Sequence, residues 1–287
     1  MAYESFNYIN HLGETITAGQ DNRLFVNEND LRDYSWDAIT KGEKISGFEK
    51  KTTTKNVPLR IIGASEEDKN NVLNRLFQIG EKDVLSNQYG KIYIGEYYLK
   101  CYITGSSKAN YIKKALRYAE DDIQITTDYP WWIKEIKYSY EKRTGADSGS
   151  HDIVTTKRNL DYNFDYNIDY SSSDGAKTIY NTSIVPANFK IVIHGGARDP
   201  YIKINQHVYQ IFDTLYDTER IEIDSATKKI RKLKYDGTWE SAYSKRNKES
   251  YIFEKLASGP NQLIWDGTFA FDITIYDERS EPLWILI

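Results

Sequence analysis

The sequence predicts a mainly β fold carrying one packed helix, and three observations lead there. Apolar and polar positions alternate in segment after segment, as in Phe189-Lys190-Ile191-Val192-Ile193-His194, where residues 189, 191 and 193 share one face of an extended chain. Tyrosine is abundant, with 24 residues beside 6 Trp and 10 Phe, a composition suited to pleated surfaces where a ring is half buried and its hydroxyl stays wet. A helical start signal joined to a helical apolar period is found at Ser65.

The first stretch, 1–130, reads as one domain. Short strands at Tyr8-Ile9-Asn10, Glu14-Thr15-Ile16 and Leu24-Phe25-Val26 are separated by turns at Gly13 and Gly19. Asn56 to Gly63 is the first strongly apolar strand, and Pro58, lacking an N–H, marks a strand end or an edge. Ser65 then offers an N-cap acceptor, with Glu66, Glu67 and Asp68 in the first turn beside free amides. The helix predicted over 65–79 places Val72, Leu73, Leu76, Phe77 and Ile79 on one side, to lie against a sheet, and Gly80 is its expected stop. Lys91 to Ile103 is too aromatic and β-branched to be helical and reads as a hairpin turning at Gly95-Glu96. Ile123 to Thr127 closes the domain as a further strand.

Residues 131–152 read as a junction, Trp-rich at Trp131-Trp132 and then a flexible loop by its Gly and Ser content. The remainder, 153–287, reads as an antiparallel sandwich. Asp161 to Tyr170 alternates with Asp161, Asp165 and Asp169 on a wet face. Phe189 to His194, Tyr201 to Asn205, Glu219 to Asp224 and Ile230 to Leu233 form a meander whose turns fall at Gly195-Gly196, Asp199-Pro200 and Asp224 to Lys229. Ser250 to Leu256, Gln262 to Asp266 and Phe269 to Tyr276 complete it, with Trp265-Asp266-Gly267-Thr268 as a tight reversal between the last two.

Composition bears on function mainly by exclusion. The net charge is -4 and the basic residues are scattered, which is not the basic stripe of a nucleic-acid binder. A single cysteine, Cys101, leaves no internal disulfide and no cysteine-based zinc site. Neither a signal-peptide core nor a membrane-length apolar run is present, so synthesis and assembly in a cytoplasm are expected. Nucleophile elbow, Walker loop, His-Glu-x-x-His and dinucleotide fingerprint are all missing. His194-Gly195-Gly196 reads as a turn after a strand, and His11, His151, His194 and His207 lack ligand spacing. The acidic positions Asp161, Asp165 and Asp169 match a glycosidase pair or a calcium set less well than a solvated strand edge. No catalytic, cofactor-binding or metal-ligating residue is nominated.

A strand ending at Gly195, then Asp199-Pro200, then Ile202 and Ile204, then Ile223-Asp224, then Gly259-Pro260-Asn261 resembles the C-terminal half of the distal tail (Dit-like) proteins of long-tailed bacteriophages. Phe6-Asn7-Tyr8-Ile9-Asn10 and the helix near Ser65 resemble the other half, so the resemblance spans nearly the whole chain. It departs at Lys41 to Lys55, where Lys41-Gly42-Glu43 and Ser46-Gly47-Phe48 stand in place of a short Gly-rich loop. The resemblance implies an N-terminal ring-forming β domain followed by a C-terminal galectin-like antiparallel β-sandwich. It also implies a structural, non-enzymatic protein at the distal end of a virion tail: a homo-oligomer closing as a hexamer ring. The partners implied are the major tail tube protein, the tape measure protein, a tail-associated lysin or hub protein and a receptor-binding protein, with no sequence-specific nucleic acid and no membrane. A second reading is a carbohydrate-binding β-sandwich that contributes to adsorption on a host surface. A third, a glycoside hydrolase, requires a carboxylate pair across a cleft.

Overall fold

The computed structural model describes residues 5–19, 23–109, 116–142 and 177–284. The chain divides into two units, one holding the residues up to Lys134 and again from Glu278, the other Glu135–Asp277.

In the first unit β1 (Phe6–Ile9) pairs antiparallel with β2 (Thr15–Ala18), and β3 (Leu24–Val26) follows. A separate hairpin, β4 (Asp37–Lys41) and β5 (Lys44–Glu49), precedes the long β6 (Thr53–Ile62). Helix α1 (Glu66–Ser86) leads to β7 (Gly90–Ile94), β8 (Tyr97–Ala109), β9 (Tyr118–Thr127) and β10 (Trp132–Tyr140). The organising strand is β8. Its residues Tyr97 to Cys101 pair with β7, which pairs with β1, while Tyr102 to Ala109 pair with β9, which pairs with β6. A register shift between Ile103 and Gly105 marks the hand-over. One strand thus serves two sheets, and their inner faces, with Tyr8, Leu59, Ile61, Ile92, Leu99 and Ile123, close on one core. The turn at Gly95-Glu96 is as expected, with Gly95 at φ 58, the left-handed value that the first central residue of a tight hairpin needs.

Helix α1 is capped as the sequence predicts, Ser65 Oγ accepting from Asp68 N at 3.1 Å. It does not stop at Gly80. It runs six residues further and ends at Asn87, whose φ of 50 supplies the left-handed cap. Gly80 is there for another reason: a Cβ on it would lie 2.9 Å from Ile103 Cβ, so the glycine lets the helix approach β8. Lys69, Leu76, Ile79, Gly80 and Asp83 are buried with Val72 and Leu73 beside them, whereas Phe77 is exposed. At 100° per residue Phe77 falls outside the arc that those positions share. Pro58 lies inside β6 rather than at its end. Its carbonyl accepts from Asn27 N at 2.9 Å, and the donor that would complete that pair is the one proline lacks, so β3 pairing ends at Val26.

Strands β10 and β21 (Phe271–Arg279) carry the chain into and out of the second unit. From Glu278, near the end of β21, the chain is back in the first unit, where Tyr129 Oη donates to Glu278 Oε1 at 2.6 Å and Arg32 Nη1 to Pro282 O at 2.8 Å. Nothing local in the sequence separates these last residues from the sandwich expected over 153–287.

The second unit opens with β11 (Lys177–Asn181), β12 (Asn188–His194), β13 (Ala197–Arg198), β14 (Tyr201–Ile204), β15 (His207–Gln210) and β16 (Thr214–Leu215). Then come β17 (Arg220–Asp224), β18 (Lys229–Leu233), β19 (Trp239–Ser241) and β20 (Gly259–Ile264), before β21. One sheet runs β19-β18-β17-β12-β21, the other β11-β20-β14-β15. Phe189, Ile191, Ile193, Ile221, Ile223, Phe271 and Ile273 of the first sheet share a core with Ile179, Ile202, Ile204, Tyr209 and Leu263 of the second.

The expected alternation is observed, but not the expected meander. β12 and β14 belong to opposite sheets, and so do β20 and β21, so Gly195-Gly196 and Trp265 to Thr268 are crossings rather than hairpin turns. At Gly195 a Cβ would lie 2.0 Å from Tyr216 O, which only glycine avoids. At the expected turn Asp199 is left-handed at φ 44, its N–H tied to Asp213 O at 2.9 Å. Ser250 to Leu256 is not a strand. Its one backbone bridge is between Leu256 and Ala187, while Ile252, Phe253 and Leu256 enter the core and the Tyr209 hydroxyl donates to Glu254 O at 2.7 Å.

Candidate assembly surface

Hairpin β4–β5 is the part of the first unit that its own sheets leave uncovered. Its two strands pair only with each other among the described residues, and every residue of β4 is exposed. Gly42, at φ 66, turns it together with Glu43, and a bulge lies between Ile39 and Thr40. Ile45 and Phe48 are 61% and 60% exposed, and Ile39 is exposed beside them. A lone two-stranded ribbon is marginal in water, and three large apolar side chains held out from it are the kind of surface that another protein covers.

The ribbon is clamped at its root. Trp36 precedes β4 and Lys50 follows β5, and both meet Trp131: the two indole rings pack edge to face at 5.3 Å, and Lys50 Nζ sits 4.1 Å from the Trp131 ring centre. The same ammonium lies 4.9 Å from the Trp36 ring and 5.6 Å from that of Tyr34, and donates to Pro130 O at 3.1 Å. Burial, aided by repulsion from Lys55, pushes the Lys50 ammonium down to about 8. Lys55, also lowered by burial, is held by the carbonyls of Asp30 and Asp33. Beside this root lies a cavity of about 290 Å³ whose walls include Asp33, Asp37, Thr53 and Trp132. The sequence reading passed over this surface. The available signal was the reversal Lys41-Gly42-Glu43 flanked by Ile39, Ile45 and Phe48, with Trp36 and Lys50 on its two sides.

The residues weighed as chemical candidates are scattered through both units. Asp161, Asp165, Asp169 and His151 lie outside the described residues. His11 is bound to Asp83, Nδ1 to Oδ1 at 2.5 Å. His194 Nε2 meets Asp272 Oδ2 at 2.9 Å across two strands. His207 Nε2 lies 2.9 Å from Tyr251 O, with its ring against Tyr209. Cys101 is fully buried, and burial pushes its thiol far up, away from the reactive thiolate. No group of three His, Cys, Asp or Glu is placed to hold a metal among the described residues. No helix among them is long and apolar enough to cross a membrane.

No protein-family model matches the chain, and no curated protein matches it. Solved structures do. The Dit protein of phage SPP1, described as a paradigm of hub adsorption apparatus in Gram-positive infecting phages, superposes with a TM-score of 0.57 at 9% identity, covering 96% of this chain and 99% of that one. A chain of the phage P2 baseplate, in its activated conformation with Ca, gives 0.56 at 10% identity over 98% of this chain and 100% of that one. The same baseplate with Sr gives 0.57 at 10% identity over 97% and 99%. Over nearly its whole length, through both units, this chain has the fold of a phage Dit protein.

Proposed function

We propose that this protein is a structural component of a phage tail tip, with no enzymatic activity, and that copies of it close into a hexameric ring at the distal end of the tail. In this reading the ring joins the major tail tube protein and the tape measure protein to a tail-associated lysin or hub protein, and it anchors a receptor-binding protein. Support comes from the likeness to baseplate and hub chains over nearly their full length. The observation that carries it in this chain is the uncovered ribbon β4–β5. A heterologous contact, in which the ribbon of one copy lies on a different surface of the next, closes as a ring when the rotation allows. The Trp36–Lys50–Trp131 clamp fixes the ribbon at its base before a neighbour arrives, which lowers the ordering cost of docking.

Native mass spectrometry of the purified chain tests this, with a closed hexamer as the expected species. Replacing Ile45 and Phe48 by Ser is expected to leave the circular dichroism spectrum and melting unchanged and to shift the chain to monomer. A wild-type chain that stays monomeric at micromolar concentration, alone and with its tube protein, overturns the ring. A hexamer that survives the double substitution moves the interface away from the ribbon.

A further inference from the structure

The outer face of the sheet β12-β17-β18-β19 carries a cluster that neither the core nor the assembly reading uses. Register puts its members side by side: Trp239 opposite Leu233, Leu233 opposite Arg220, Arg231 opposite Glu222 and Ser241, Asp224 opposite Lys229 and Lys190. Because Ile191, Ile221, Ile223 and Ile230 point into the core, these alternate neighbours point away from it.

Glu222 is the centre, only 6% exposed. It meets Arg231 Nη2 at 2.6 Å, Lys190 Nζ at 3.2 Å and Arg220 Nε at 3.6 Å. Burial alone raises this carboxyl, but the Arg231 hydrogen bond and the Lys190 charge outweigh it and hold the group below its usual range. One carboxylate therefore positions three cations. Asp224 Oδ1 is engaged by its own turn, accepting from Ala226 N at 2.9 Å and Thr227 N at 3.2 Å. Lys229 makes no ion pair among the described residues. Lys190, Arg220, Lys229 and Arg231 face two carboxylates, a local surplus of positive charge on a chain whose net charge is -4. The Arg231 and Arg220 guanidinium carbons lie 4.5 Å and 5.4 Å from the Trp239 ring centre, yet 41% of Trp239 remains open to solvent. A hollow of about 400 Å³ opens there, whose walls include Lys228, Lys229, Arg231, Trp239, Ser241 and Tyr243 and one carboxylate, Glu240, which is paired with Lys234 Nζ at 2.7 Å.

We propose that this face binds an anionic glycan, with Trp239 as the platform for the apolar side of a sugar ring and Arg231, Arg220 and Lys229 as partners for its carboxylate or phosphate. An indole offers a flat apolar face of sugar-ring size, and a guanidinium fork matches either anion through two parallel hydrogen bonds. Single-stranded nucleic acid is the nearest competitor, but it asks for successive aromatic platforms along a charged groove. Here the hollow offers two rings, Trp239 and Tyr243, beside a compact group of cations rather than a row of platforms along a groove. Attachment to a host surface through this face is separate from ring closure, since it needs one folded chain only.

Affinity electrophoresis of the full chain tests the site with polygalacturonate, dextran phosphate, neutral dextran, polyphosphate and a thymidine oligonucleotide as probes. Retardation is expected with at least one of the two anionic glycans, and which one identifies the anion. Trp239→Ala is expected to weaken it about tenfold or more, the scale of one lost stacking contact, while Trp239→Phe, which keeps a ring, retains most of it. Arg231→Gln is expected to weaken binding to the anionic glycans without changing the null result on neutral dextran. Absence of retardation by both anionic glycans overturns the proposal. So does unchanged binding by a folded Trp239→Ala protein, and so does equal retardation by polyphosphate or the oligonucleotide, which would reduce the face to a bare cation patch.

Discussion

His11 Nδ1 and Asp83 Oδ1 lie 2.5 Å apart, joining the turn between β1 and β2 to the last turns of α1. Asp83 is fully buried, and its other contacts are the His11 backbone N–H at 2.9 Å and the Tyr8 hydroxyl, which donates to Oδ2. A buried carboxylate that satisfies three donors couples the helix to the sheet, and removing it strands the donors. Asp83→Ala is expected to cost the first unit roughly 1–3 kcal/mol or more, read as a lower urea midpoint with an unchanged slope.

The same cluster explains Gly90. A Cβ there would lie 2.4 Å from both Asp83 Oδ2 and the Tyr8 hydroxyl. Gly90→Ala is expected to destabilise by about 1–3 kcal/mol through overpacking, although alanine is the better residue for an unfrustrated chain. Double-mutant coupling with Asp83→Ala, measured by denaturation, is expected to be favourable but partial, because the carboxylate's share of the clash disappears while that with the Tyr8 hydroxyl stays.

Lys232 is the matching element of the second unit. Its side chain is 7% exposed, with Nζ at 2.9 Å from Glu219 Oε2 and 3.3 Å from Asp213 Oδ2. Burial opposes the charge on all three groups, yet pairing wins: Lys232 is raised, and Asp213 and Glu219 are lowered. Lys232→Met takes the cation from Glu219 and leaves Asp213 with Lys245 Nζ at 2.7 Å, and is expected to cost about 3 kcal/mol near neutral pH. The lowered carboxylates contribute stability above their unfolded pKa values and lose it as pH falls through the folded ones. The gap between wild type and variant, followed by thermal melts, is therefore expected to narrow in acid.

Lys50 gives a pH dependence of the same direction in an alkaline window. Its folded value is near 8 against an ordinary 10.5, so between those values the unfolded chain binds more protons and stability rises with pH. Compared with Lys50→Met, wild type is expected to gain stability from pH 8 upward, with the gain complete once pH passes the unfolded value. A flat difference across that window, measured by denaturant midpoints, would remove the strain assigned to the buried ammonium.

Ile191 and Ile204 face each other's sheets in one core, both essentially inaccessible. Ile191→Ala and Ile204→Ala are each expected to cost on the order of 2–5 kcal/mol, seen as a lower melting transition of the second unit.

The positions of strands, the capped helix start and the turn at Gly95-Glu96 were legible in the sequence because each is a local matter: alternation over a few residues, a hydroxyl three residues from an amide, a glycine at a positive φ. Sheet membership was not legible. Phe189 to His194 and Tyr201 to Ile204 carry the same alternation, and only the core between them places them in opposite sheets. Gly80 looked like a helix stop because its reason lies on another element, at Ile103. The ribbon β4–β5 carries no mark of exposure in the sequence, because Ile39, Ile45 and Phe48 look like the core positions of any strand and only the fold leaves them exposed. Individual residues such as Arg220, Glu222, Arg231 and Trp239 are unremarkable in order along the chain, and register across three strands is what gathers them. Periodicity, being a property of neighbours in sequence, determined by itself that this protein is built of amphipathic strands and one amphipathic helix. Contacts between residues far apart in sequence carry no local mark, so the strand order, the sharing of β8 between two sheets and the two uncovered surfaces were decided by the tertiary structure alone.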